Sequence, residues 1–574
     1  MVNTRRRIQL LLAFLALVTV LLIGRVAYLQ LFNGGYLSSY AEQNQTKLIP
    51  GEDITRGNIL DRKGHSLTDS KVESALIVFP DMLDDRDKTA DDLGEILGIA
   101  PRAVSAMLNK NYVYFPGLSG KQMEAVQELG IYGVSPVKIK VRFGTGSLAR
   151  HVVGHVNSID SDTWAMINQQ NEDSPKKEYS LDDVIGVKGI EAEYEDYLHA
   201  SDPEFFLSAV MDARGNVIPG LSFDRVYSDG SAVNRNNIYL TIDKELQKKV
   251  EEVMDNHIEK GAVVVMEVAT GDILAAASRP NYNQNIIADS IVSGDKSFNN
   301  RAFEFYHPGS VFKILIASAA LEEGAVNPNE LFLCTGKFTL STGLTINCWN
   351  KEGHGPVNFV EGFAHSCNPV FIDVALRLGR EKILEYGKRF GLSKAEIIGY
   401  PTPTVKCLDI DPFGEGKIAN AALGQEGVRI SPLQVAGMVS VIASGGCYRT
   451  PRLVSQITDS EGKVLEAFEP GEKLQVISSA VAEQVKEMLG QAVLNGTGKE
   501  AWIAEFGSGG KTGSAETGKK GADGKSITNV WFAGFAPLEN PRFAIAVLKE
   551  EGDSGSKDAA PVFKEIAEFA LKNL

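Results

Sequence analysis

Polar and apolar positions change character sharply along this chain. Arg5, Arg6 and Arg7 lead into Ile8 to Gly24, seventeen residues of which only Gln9 and Thr19 are polar. The run predicts a membrane-spanning helix at the short end of what crosses a ~30 Å hydrocarbon core, extended by Val26, Ala27, Leu29 and Leu31 if Arg25 snorkels or faces a partner. No small-x-small cleavage site follows it, which argues against a signal peptide. Three arginines before the span and mixed charges after it predict a cytoplasmic N-terminus and an extracytoplasmic body from about residue 33 onward. No second run of comparable apolar length is present, so the expectation is a single-pass anchor.

From Asn33 to about Asn234 the chain is polar and rich in turn formers. Within it, Arg56-Gly57-Asn58-Ile59-Leu60-Asp61-Arg62 predicts a turn closed by an Arg56–Asp61 ion pair. The loop-forming segment Ser228 to Asn237 marks a boundary. After it, Ile238 to Ile242 reads as a strand and Lys244 to Ile258 as an amphipathic helix. Ala262 to Val268 and Asp272 to Ala277 read as a hairpin turning at Ala269-Thr270-Gly271. Asn529 to Phe535 and Arg542 to Leu548 are two further strands, and a last helix spans about Ala559 to Leu571. Strands at both ends around a helical middle predict an α+β fold whose antiparallel sheet joins segments distant in sequence. The expected divisions are 1–32, a cytoplasmic tail and anchor; 33–234, an elongated mixed pedestal domain for dimerisation or docking; and 235–574, the catalytic domain.

With 574 residues, 44% apolar and 23% charged, the chain is that of an ordinary globular protein. Lys plus Arg at 58 against Asp plus Glu at 73 leaves a net charge of −15, which argues against nucleic acid as a partner. The five cysteines form no C-x-x-C pair and are too scattered for a disulfide scaffold, although Cys334 and Cys348 bracket a strand-turn-strand segment and could pair or remain free, buried thiols. Cys367 reads as a small packing residue. His151 and His155 lack the glutamate of H-E-x-x-H and read as packing residues rather than metal ligands.

Three short segments carry candidate chemistry. Ser310-Val311-Phe312-Lys313 is a serine three residues before a lysine. Six other such windows contain Pro or Gly, whereas this one runs into an apolar stretch from Ile314 to Leu321. On a helix, positions i and i+3 lie about 5 to 6 Å apart at Cβ, so the hydroxyl and the amine can meet. A serine attacks only if a base takes its proton, and lysine is a base only when neutral. Bringing its pKa from ~10.4 to about 7 requires roughly 5 kcal/mol of destabilisation of the charged form, which burial plus a neighbouring cation can supply. In Ser366-Cys367-Asn368, Pro369 suits the first helical position and Asn368 could cap that helix, while Ser366 and Asn368 can still face one cleft. Lys511-Thr512-Gly513-Ser514 follows Gly509-Gly510, but Glu505 stands where a phosphate-binding loop needs glycine. On a strand edge, that lysine and hydroxyl could hold a carboxylate, and Gly513 would let a substrate backbone come close.

Taken in this order, Ser310-x-x-Lys313, Ser366-x-Asn368 and Lys511-Thr512-Gly513 resemble the three motifs of penicillin-binding proteins and serine β-lactamases. Arg56 to Arg62, Gly186-Val187-Lys188-Gly189-Ile190-Glu191, Leu240 to Asp243, Gly424-Gln425-Glu426-Gly427 through Gln434, and Trp531 to Pro537 extend the likeness to class B penicillin-binding proteins. The resemblance implies a penicillin-binding, β-lactamase-like catalytic domain acting as a D,D-transpeptidase of peptidoglycan, with β-lactams as inhibitors and no metal or organic cofactor. It implies Ser310 as nucleophile, Lys313 as its base, Ser366 as proton relay and Asn368 as a grip on the stem peptide. Lys511 and Thr512 would bind the terminal carboxylate, and the N–H groups of Ser310 and Ser514 would form an oxyanion hole worth ~3 to 4 kcal/mol per donor. It also implies a wall-synthesis complex with a SEDS-type glycosyltransferase contacting the helix around Arg25 and the pedestal, and no sensor repeats after the catalytic region. A β-lactamase or β-lactam sensor using the same serine, or a non-enzymatic scaffold, stands as the alternative. The roughly 340 residues from Arg235 onward exceed the usual β-lactamase core.

Overall fold

The computed structural model describes residues 2–31, 46–173, 179, 183–200, 203–211, 223–227, 235–287, 296–402, 405–411, 414–521, 524 and 526–574. Val2–Leu31 is one helix, so the apolar run does not end at Gly24 but continues through Arg25. Arg6–Leu31 is long and apolar enough to cross a membrane, and none of it is buried. The Arg25 guanidinium lies 5.7 Å from the centre of the Tyr28 ring on the same helix face, a cation–π contact.

The chain forms two compact units. The first gathers Met1–Thr55, Val72–Val141 and Asp202–Val233. In it Phe205–Val210 pairs with Thr46–Pro50 and Asp224–Tyr227, and a second sheet holds Lys71–Val78 between Val113–Pro116 and Val134–Val141. Strand alternation turns Phe205, Leu207 and Ala209 inward, where they pack with Ile49, Ile77 and Ile139.

The second unit contains Arg56–Lys71, Arg142–Ser201 and Asn234–Leu574. Two stretches that precede residue 234 are therefore built into it. The reason is visible in the pairing: Asn58–Leu60 runs parallel to Asn237–Leu240, which also pairs antiparallel with Val454–Thr458. The strand read from Ile238 onward thus belongs to this side sheet. The main sheet has five antiparallel strands in the order Ile273–Arg279, Gly261–Glu267, Phe543–Lys549, Ser526–Ala536, Gly509–Lys520. Gly261 pairs with Lys549 and Glu267 with Phe543, so chain segments from the two ends of this unit lie side by side, as strand periodicity there predicts. Every residue of Ile273–Arg279, and all but the last of Gly261–Glu267 and Phe543–Lys549, is buried. Helices must therefore cover both faces. Lys244–His257 and Ala560–Asn573 pack on one through Leu246, Val250, Phe563 and Ile566 against Val263, Val265, Ile545 and Val547. Pro432–Ala443, buried almost all round, lies along the same strands.

Arg56 does not pair with Asp61. Its Nε donates to Glu191 (2.9 Å) and its Nη2 to Glu195 (2.7 Å), while Arg142 Nε donates to the other oxygen of Glu191 (2.6 Å). Asp61 instead accepts from the backbone N–H groups of Lys63, His65 and Lys244. His151 and His155 pack at the edges of the Tyr282 ring, and burial lowers both to about 4, so they are neutral at physiological pH. Because Glu191 is fully buried between two guanidinium groups, its loss strands two charges. Glu191→Ala is expected to cost about 3–5 kcal/mol of stability, measured by denaturant unfolding, and a loss under about 1 kcal/mol would show that the triad carries no such burden.

Candidate active site

Ser310 sits in the one-turn 3-10 segment Gly309–Phe312, which opens directly into the helix Lys313–Glu322. Val311, Phe312, Ile314 and Leu315 are fully buried and pin this turn to the core. Gly309 has φ +59°, a region open to glycine, and a Cβ there would stand 2.5 Å from the Ser514 carbonyl oxygen. From the other side, a Cβ on Gly513 would meet Pro308 O at 2.7 Å. The two glycines thus let the serine turn press against the Gly509–Lys520 strand. The Gly309 N–H is further tied to Gly424 O (2.9 Å), within the Gly424-Gln425-Glu426-Gly427 segment.

Lys313 is wholly removed from water. Its Nζ donates to Ser366 O (2.9 Å), Asn368 Oδ1 (2.8 Å) and Ser366 Oγ (3.3 Å), and lies 5.3 Å from the Phe371 ring centre. Burial pushes its pKa down to about 7, opposed weakly by the Cys367 and Cys348 thiols. Among the described residues Ser310 Oγ has no hydrogen-bond partner.

Ser366 and Asn368 reach the amine through local backbone geometry. The helix Phe359–Ala364 starts at a capping box of Asn358 and Glu361 and is followed by Ser366 at φ +55°, a left-handed conformation that costs a non-glycine residue on the order of 1 kcal/mol. Backbone bonds Ser366 N to Phe363 O and Cys367 N to Gly362 O hold it there. Cys367, not Asn368, occupies the cap position of the next helix, Asn368–Leu378, and Asn368 is its first residue. The Asn368 side chain is thereby free of capping: its oxygen faces Lys313 and its Nδ2 donates to Asn347 O (3.2 Å).

Lys511, Thr512, Gly513 and Ser514 lie on the outermost strand of the main sheet, with Thr512 opposite Phe532 and Gly513 opposite Trp531. Lys511 is fully buried, 5.8 Å from the Phe363 ring centre, and donates to Thr512 O at 3.3 Å. Burial first, and then the positive charge of Lys313, hold it well below the usual lysine range. The neighbouring cation that sequence reasoning invoked for Lys313 therefore weighs on Lys511, while burial alone accounts for the low Lys313 value. Thr512 Oγ1 lies 2.6 Å from Thr497 Oγ1, a residue in the turn after the helix Ser479–Leu494 that no sequence motif singled out.

A second cluster borders the first. All five cysteines are free and buried, and Cys334, Cys348 and Cys367 converge with His354 so that their ligand atoms lie within 4.8 Å of one another. Cys348 Sγ is 3.6 Å from His354 Nδ1, and His354 Nε2 is buried without a hydrogen-bond partner. The hydrogen bond from the Cys367 thiol, and then those from the Asn368 and Asn350 N–H groups, draw the Cys348 thiol below its ordinary range, while the same thiol–thiol bond and burial push Cys367 up. Thiolate and imidazole donors of this kind suit a tetrahedral zinc ion, whose Cys₃His donors stand roughly 3.5–3.8 Å apart, so the four need close by only about 1 Å. Their spacing of 14, 6 and 13 positions matches no short motif, which is why the sequence did not disclose them.

Residues 261–568 match the penicillin binding protein transpeptidase domain and residues 52–234 the penicillin-binding protein dimerisation domain. Stage V sporulation protein D of Bacillus subtilis is 30% identical over 599 aligned positions that cover all of this chain and 86% of that protein. Peptidoglycan D,D-transpeptidase MrdA of Haemophilus influenzae is 27% identical, covering 98% of this chain and 91% of its own. Among solved structures, the ceftriaxone acyl-enzyme complex of penicillin-binding protein A from M. tuberculosis superposes with a TM-score of 0.54 at 26% identity, over 59% of this chain and 80% of that one. With a relative 30% identical aligned over the whole of this chain and the transpeptidase domain matching more than half of it, this chain belongs to the penicillin-binding protein transpeptidase family.

Proposed function

We propose that this protein is a serine D,D-transpeptidase that cross-links peptidoglycan stem peptides and is acylated by β-lactams. The observation that carries the reading is the fully buried Lys313 amine, lowered to about 7 and ringed by Ser366 and Asn368 one turn from Ser310. A relative named as a D,D-transpeptidase and a structural neighbour captured as an acyl-enzyme support it.

Three acceptors surround Nζ and engage all three protons of an ammonium; the neutral amine keeps two and gains a lone pair. Ser310 Oγ then attacks the carbonyl between the two terminal D-alanines and gives its proton to that lone pair. The N–H groups of Ser310 and Ser514, brought side by side by Gly309 and Gly513, take the oxyanion. The C–N bond breaks, the departing D-alanine amine receives the proton through Ser366, and an ester remains on Ser310. The amine of a neighbouring stem attacks the ester and loses its proton to Lys313; the bond from the acyl carbon to Oγ breaks, and Lys313 returns that proton to Oγ, restoring the Ser310 hydroxyl and the neutral amine. Lys511 and Thr512 bind the terminal carboxylate. An anion there favours the charged form of Lys511, which clamps it. Among the described residues no strand pairs with the outer edge of Gly509–Lys520, so that edge can receive the stem as an added strand, with Asn368 gripping its amide.

The three arginines before the apolar helix support a cytoplasmic N-terminus and an extracytoplasmic body. The unburied span around Arg25 is the surface for a SEDS-type polymerase partner in a wall-synthesis complex. Co-purification with such a partner is expected to disappear when residues 5–32 are replaced by an unrelated span; unchanged association would refute the contact.

Cys334, Cys348, His354 and Cys367 would hold a zinc ion, whose chemistry here is structural: four ligands close the site and tie the Leu331–Cys334 strand to the residue between Ser366 and Asn368. Purified protein is expected to carry one zinc per chain by elemental analysis, and to gain about 3 kcal/mol at a hundredfold excess over Kd. Cys348→Ser should lower both; wild-type protein that neither retains nor takes up zinc would remove the site.

Acylation tests the catalytic assignment. Benzylpenicillin should form a long-lived adduct mapped to Ser310 by mass spectrometry and absent from Ser310→Ala, whereas rapid loss of the adduct would indicate a β-lactamase. The acylation rate should rise with pH through about 7 as Lys313 loses its proton. Lys313→Arg, charged at every accessible pH, should lower it more than ~100-fold. A flat profile across that range would show that another group takes the proton.

A further inference from the structure

We infer that Thr497 is a positioning residue for carboxylate recognition: it fixes the hydroxyl of Thr512 so that its proton points to the anionic end of the substrate. This rests on the proposed transpeptidase reading and adds a residue to it. Thr497 is partly buried between Gly496 and Gly498, which let the turn press into its surroundings. A Cβ on Gly496 would stand 2.1 Å from Ala364 O, and one on Gly498 3.2 Å from Ala492 O. The Thr497 N–H donates to Ala364 O at 3.2 Å, at the end of the helix two residues before Ser366. Its Oγ1 meets Thr512 Oγ1 at 2.6 Å. One residue therefore ties the wall that carries Ser366 to the strand that carries Lys511 and Thr512.

The hydroxyl pair has two states. A threonine hydroxyl has one proton to donate, so if Thr512 gives its proton to Thr497, nothing is left for a ligand. If Thr497 donates to Thr512, the Thr512 proton is free and points outward. A carboxylate in the cleft selects the second state, because it completes a chain from Thr497 through Thr512 to the anion in which each bond strengthens the next. Thr497 never touches the reacting carbonyl. It acts through Thr512 alone, and its effect falls on ligands that present an anion at that point.

The test uses the full-length protein in detergent, with Thr497→Val, which keeps the shape and removes the hydroxyl, and Thr497→Ser, which keeps the hydroxyl. Second-order acylation rates are measured for benzylpenicillin and for its methyl ester, which has no anion. The ratio of acid to ester rates is expected to fall about tenfold in Thr497→Val and to stay within about twofold of wild type in Thr497→Ser. An unchanged ratio in Thr497→Val, whether both rates fall together or neither does, overturns the inference, as does a ratio lost equally in Thr497→Ser. Failure of the parent reading is separate: wild-type protein would then form no adduct at Ser310 with either compound.

Discussion

A single desolvated amine sets the terms for the rest of this molecule. Lys313 sits at the start of a helix whose first eight residues are all buried, and no water reaches its Nζ. An ammonium in such a place is unstable unless acceptors surround it. Three oxygens do so, and they come from a segment more than fifty residues further along. The balance between the cost of burial and these contacts leaves the amine near neutrality, where it can both take and return a proton. A better-solvated lysine would stay charged, and one without the Ser366 and Asn368 oxygens would have no protonated state worth visiting.

The surrounding architecture keeps that balance rigid. The serine turn is fixed by close backbone approaches at Gly309, Gly424 and Gly513, where any side chain would collide with a carbonyl oxygen. Ser366 is held in a left-handed conformation by backbone hydrogen bonds to the helix before it. The third wall is the outermost strand of a sheet whose inner strands are buried on both faces. Its inner side is therefore backed by paired, buried strands, and among the described residues no strand pairs with its outer edge. The Cys334, Cys348, His354 and Cys367 cluster borders the Ser366–Asn368 wall instead, sharing Cys367 with it. Close backbone approaches around the cleft leave both lysines fully buried, with neither side chain reaching solvent.

Periodicity carried much of the fold. The hairpin turning at Gly271, the amphipathic helix capped by Asp243, the two C-terminal strands and the last helix lie within a few residues of where alternation and helical spacing put them. The serine, lysine and asparagine that meet at the amine were legible because each stands in a short local pattern beside an apolar run. The partner of Arg56 was not, because two carboxylates 135 and 139 positions away compete with a nearby aspartate, and only packing chooses between them.

The sequence by itself therefore determined the apolar N-terminal helix, the element types and the chemical identity of the three candidate segments, since these depend on composition and spacing within a few turns of chain. Tertiary structure alone decided that stretches before residue 234 join the second unit, that burial and not a second cation lowers Lys313, that four soft ligands converge, and that Thr497 reaches Thr512. Each of these depends on distance and water exclusion between remote segments, quantities that no local pattern of residues encodes.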